Sequence, residues 1–123
     1  MALHFTVDEL ADRRRRVCDA MQAKGLGGLL MFRQESMFYL TGYDTFGYCF
    51  FQCLYLGADG RMVLLTRAPD LRQAQHTSVI EDIRVWVDRP DAGPAEALRD
   101  VLEECGCRDG KLGIEWEAYG LTA

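Results

Sequence analysis

Glu115 and Glu117 stand two residues apart, so on an extended strand both carboxylates face one side, the arrangement that general acid–base chemistry uses. Trp116 between them favours another reading, a strand end turning to solvent. Each of the five cysteines (Cys18, Cys49, Cys53, Cys105, Cys107) would need a neighbouring base to become a nucleophilic thiolate, and the chain holds only His4 and His76. Cys49 and Cys53 share one face of an apolar run, where a thiol acts as a small hydrophobe. His76 ends a short polar helix, as a surface or capping histidine does. No H-E-x-x-H spacing exists for a hydrolytic metal, and the odd cysteine count without a C-x-x-C pair indicates reduced thiols rather than a disulfide framework or a zinc knuckle. The sequence therefore offers no complete catalytic set, and no cofactor is expected on this chain.

The stretch Glu35 to Tyr48 poses a different question. Five aromatic residues fall within its fourteen positions, among Gly, Thr and Asp residues typical of a solvated turn. Read as a loop, it has more apolar surface than a loop needs, so it is expected to touch something. The arginine run from Arg13 to Arg16 fans around a helix; Glu9 and Asp12, each four residues before an arginine, supply local ion pairs on a solvated face. The string Gly25-Leu26-Gly27-Gly28 lacks the third glycine of a nucleotide loop, because Leu30 occupies it, and it opens a strand rather than a helix.

Positioning these residues falls to a single domain, residues 1–123, of ordinary globular composition. A net charge of -5 argues against nucleic-acid and anionic-membrane partners, which require a clustered positive field. With no long apolar run and with Asp8 and Glu9 near the start, a cytoplasmic, unanchored protein is expected. Thr6 caps a first helix reaching Lys24, with Glu9 completing the capping box, Phe5 placed to staple on Leu10, and Gly25 at the left-handed stop. Apolar runs at 28–32 and 49–56 read as strands buried on both faces. The turn Gly57-Ala58-Asp59-Gly60-Arg61 makes the second an antiparallel hairpin with 62–66. A helical piece at 70–76, a strand at 83–87, a helix with Pro94 in its first turn and a strand at 112–115 complete the order. Helical crossovers demand parallel pairing and the hairpin antiparallel pairing. The expected fold is α/β: a mixed sheet of about five strands with helices on both faces. The residues from Glu115 onward look like the start of a further element.

Several local strings in this order resemble one family. The Phe5-x-x-x-Glu9 helix with its arginines, Gly25-Leu26-Gly27-Gly28-Leu29-Leu30, Tyr39-Leu40-Thr41-Gly42-Tyr43, the Asp59-Gly60 hairpin and Gly113-Ile114-Glu115 are similar to the N-terminal domain of the creatinase, prolidase and aminopeptidase P family. The resemblance spans nearly the whole chain, and Tyr39–Tyr43 is its most specific piece. It implies a three-layer, ribonuclease H-like domain, followed in family members by a catalytic domain that binds a pair of divalent metals (Mn, Co or Zn) in the peptidases. It also implies a homodimer and a loop lent to the rim of the substrate pocket. On that reading Tyr43, Asp44, Phe46 and Tyr48 are candidate binding residues, their rings and carboxylate suited to a small amine-bearing or proline-like ligand, and Arg67 is a candidate for a substrate carboxylate. The same aromatics would equally cap the sheet or fill a domain interface. The resemblance implies a non-catalytic domain of an Xaa-Pro peptidase or creatinase-like hydrolase. The alternative is a free-standing small-molecule-binding or interaction domain.

Overall fold

The computed structural model describes residues 5–45, 51–87, 89–90, 93–106 and 111–115. Helix α1 (Val7–Ala23) starts at Thr6, whose hydroxyl oxygen accepts the Glu9 N–H at 3.1 Å, and stops before Gly25 at φ 72°. Strand β1 (Leu26–Met31) follows directly, then a second helix, α2 (Gln34–Thr41). The hairpin pairs β2 (Cys53–Gly57) with β3 (Met62–Arg67), and α3 (Ala68–Thr77), β4 (Ile83–Trp86), α4 (Pro94–Glu104) and β5 (Lys111–Ile114) complete the chain.

The sheet order is β4-β3-β2-β1-β5. β2 runs antiparallel to both neighbours, while β1 with β5 and β3 with β4 are parallel. The expected α/β mixed sheet is thus the observed one. All five residues of β2 are buried, as a central strand covered on both faces requires. Leu54 and Leu56 face a core built with Cys18 and Met21 of α1, Met37 and Leu40 of α2, and Ala74 of α3. Cys53 and Tyr55 face the opposite core, closed by Val101 of α4. Tyr55 sets a steric condition on β1: a Cβ at Gly28 would stand 2.7 Å from the Tyr55 ring and 2.8 Å from Leu112, so a side chain there must displace both.

The structure corrects one sequence expectation. Residues 34–41 are helical rather than loop, with Met37, Leu40 and Thr41 inward and Gly42 at φ 81° ending the helix. The Phe5 ring lies 5.0 Å from that of Phe38 on this helix. Most of the arginine run forms the expected local ion pairs, including Arg13 with Glu9 at 3.8 Å and Arg16 with Asp12 at 3.1 Å. Arg13 does more: its guanidinium sits 4.1 Å from the Phe5 centroid and 4.5 Å from that of Tyr39, and it donates to the Tyr39 carbonyl at 2.9 Å. It clamps α1 to α2.

Candidate functional site: a polar corner at one end of the sheet

Because β1, β3, β4 and β5 all run the same way, their C-terminal ends lie together, the end of an open α/β sheet where ligands usually bind. Two flanks of the 46–50 segment meet the sheet there. On the first flank, Tyr43 is wholly buried; its hydroxyl donates to Gln52 Oε1 at 2.7 Å and lies 3.3 Å from Thr66 Oγ1. Burial pushes the phenol above its ordinary pKa, so it remains a donor at neutral pH. The Asp44 N–H donates to Thr77 Oγ1 at 2.9 Å. Thr45 Oγ1 donates to Asp70 Oδ1 at 2.6 Å, and Gln52 Nε2 approaches Asp70 Oδ2 at 3.4 Å.

Asp70 is only 8% exposed and occupies the first turn of α3. A negative charge there is favoured by the helix N-terminus, and its two hydrogen bonds bring together residues 18 and 25 positions away. On the second flank, the Phe51 carbonyl accepts the Trp86 indole N–H at 3.0 Å, and the rings of Phe32, Phe51 and Trp86 form a row with centroids 5.7 and 6.2 Å apart. Both approaches to residues 46–50 are therefore held: one by buried hydrogen bonds, the other by an aromatic row.

Of the rim residues expected from sequence, Tyr43 has no exposed surface and its ring packs in the core. Asp44 and Arg67 are half-buried at this end, Arg67 closing β3 at the start of α3. Phe46 and Tyr48 lie outside the described residues. Gln52, Thr45, Thr66, Asp70 and Trp86 were not singled out by sequence. Gln52 carried a usable signal, a lone amide inside a run of buried apolar residues, where a polar group must find partners.

The other candidate chemistry resolves into structure. Glu115 Oε1 accepts the N–H groups of Phe32 at 2.9 Å and Arg33 at 3.0 Å, and Oε2 accepts the Ser36 hydroxyl, so this carboxylate caps a helix. Glu117 lies outside the described residues, as do His4, Cys49 and Cys107. His76 is exposed in the last turn of α3. Cys18 and Cys53 are buried, and burial pushes both thiols up, away from the reactive thiolate. Among the described residues, no three His, Cys, Asp or Glu side chains group to hold a metal ion. No described helix is long and apolar enough to cross a membrane.

Comparison with known proteins agrees with this architecture. The ectoine hydrolase of Halomonas elongata is 29% identical over 130 residues, covering 100% of this chain and 33% of that protein. An uncharacterized hydrolase/peptidase of Sinorhizobium fredii is 30% identical over 128 residues, covering 98% and 33%. The chain thus spans about a third of the length of these curated relatives. The N-terminal domain of an Xaa-Pro dipeptidase from Lactobacillus brevis superposes with a TM-score of 0.71 at 12% identity, covering 84% of this chain and 75% of that one, a likeness of fold. The sequence profile of the Creatinase/Prolidase N-terminal domain matches residues 13–122. With that match across nearly every element described, the chain belongs to the creatinase/prolidase N-terminal domain family.

Proposed function

We propose that this chain is the non-catalytic N-terminal domain of a metal-dependent hydrolase acting on Xaa-Pro peptides or on a related C–N bond such as that of ectoine. In this reading it helps form a cytoplasmic homodimer and gates the substrate pocket. The bond-breaking groups and any divalent metal pair (Mn, Co or Zn) belong to a catalytic domain elsewhere in the protein.

The observation that supports this most is the anchoring of the two residues that flank 46–50: Thr45 on Asp70 before the segment, Phe51 on Trp86 after it. Fixed flanks lower the entropy that ordering an intervening segment on a ligand would cost. Asp44 and Arg67 at the same end add charge for an amine and a carboxylate respectively.

The test is steady-state kinetics of the longer protein carrying Phe46→Ala or Tyr48→Ala, on Xaa-Pro dipeptides and on ectoine. The expected result is a fall in kcat/KM of about tenfold, with unfolding temperature preserved. Unchanged constants in both variants would remove the gating role. Sedimentation of the same protein reads the dimer directly, and a monomer would remove that part of the proposal.

A further inference from the structure

Helix α2 has no cap of its own. Arg33, at its N-cap position, makes no side-chain capping bond, and its guanidinium is turned to Glu35 at 3.2 Å. The cap arrives from 82 residues downstream, where Glu115 accepts the Phe32 and Arg33 N–H groups and the Ser36 hydroxyl. Glu115 is itself fixed to the sheet, its N–H donating to the Leu30 carbonyl at 3.1 Å. One residue thus ties the end of β5 both to β1 and to the start of α2.

The far end of α2 leaves no slack. The Gly42 N–H closes on Phe38 O at 2.9 Å, Tyr43 enters the core immediately afterwards, and Asp44 is bonded to Thr77. From the Glu115 carboxylate to the Tyr43–Thr45 corner the path is one short helix and a single glycine. An eight-residue helix has little stability apart from its packing and caps, so the bonds at its ends help fix its position alongside Met37, Leu40 and the Arg13 clamp.

We propose that Glu115 is a positioning residue: a latch through which the place where the chain leaves β5 sets the position of α2 and, through it, of the Tyr43–Thr45 corner. A pull on the backbone beyond β5 would reach the corner through this carboxylate, whereas a merely local cap would protect only the amides it touches.

Amide hydrogen exchange on the 123-residue chain separates the two. The latch predicts that Glu115→Ala speeds exchange about tenfold or more at Phe32 and Arg33, and likewise at Met37, Gly42 and Asp44. The amides of Leu54 and Leu64 in the central strands should stay within about twofold. Glu115→Gln keeps a neutral acceptor and should give the same pattern at smaller amplitude. Ser36→Ala, which removes one partner and leaves the carboxylate, gives a weaker form of the pattern if Glu115→Ala does not fold. Acceleration confined to Phe32 and Arg33, uniform acceleration that includes Leu54 and Leu64, or none at all would each overturn the latch.

Discussion

Asp70 and Glu115 are two carboxylates at helix N-termini, at the same end of one sheet, and they are used in opposite ways. Glu115 reaches across the chain to backbone N–H groups at the entry to a helix. Asp70 sits on the helix whose N-terminus favours it and spends both oxygens on side chains, Thr45 and Gln52. A carboxylate bonded to backbone shapes an element, while one bonded to side chains shapes a corner. Tyr43 joins the two regions: it follows the helix that Glu115 caps, and its hydroxyl enters the network that Asp70 closes. The corner is therefore held from two directions by groups far apart in sequence.

Removing the link should have the largest effect. Tyr43→Ala opens a cavity in a side chain with no exposed surface and breaks both regions at once, an expected loss of about 3–5 kcal/mol in chemical denaturation. Tyr43→Phe, which removes only the hydroxyl, should cost about 1 kcal/mol. Near-equal losses would mean that packing of the ring is irrelevant and would break the account of this residue.

Next in size is Glu115→Ala, expected at about 2–3 kcal/mol because two charge-assisted backbone bonds and one hydroxyl bond disappear together. Asp70→Ala should cost less, about 1–2 kcal/mol: Thr45 and Gln52 lose an acceptor, but a buried carboxylate no longer has to be desolvated. A larger loss for Asp70→Ala than for Glu115→Ala would reverse the contrast between the two carboxylates.

The smallest effect concerns a carboxylate with a cationic partner. The hydrogen bond from Arg84 holds the Asp82 carboxyl below its ordinary pKa, and Arg84 also bonds Glu104 at 2.6 Å. Because the folded-state value is the lower one, this stabilisation is present above about pH 4 and is lost as pH falls through the depressed value. The side chain is 37% exposed, so screening keeps the effect below about 1 kcal/mol. Asp82→Asn should flatten the acid limb of a stability–pH curve by that small amount. An unchanged limb would show that the pair contributes nothing.

What was legible in the sequence was local. Thr6 with Glu9, Gly25, the Gly57–Gly60 turn and Pro94 each carry their structural instruction within a few residues, and each element lies where those signals put it. Helix α2 was not legible, because its cap is Glu115 and no Ser, Thr, Asp or Asn stands at its N-cap position. The polar corner was hidden for the same reason. Asp70, Gln52 and Thr45 have meaning only once β2, β3 and α3 are assembled, although the amide inside an apolar run pointed toward it. Tyr43 was visible as an aromatic in an unusual place. Its burial was not, since no signal within a few residues specifies the helix that carries it inward.

The proposal at the centre of this reading is that the chain shapes a pocket and leaves bond-breaking to another domain. The most direct measurement is an assay of the purified 123-residue chain on Xaa-Pro dipeptides and on ectoine, with and without added manganese. The account predicts no turnover under any of these conditions. Metal-dependent turnover by the chain alone would contradict it.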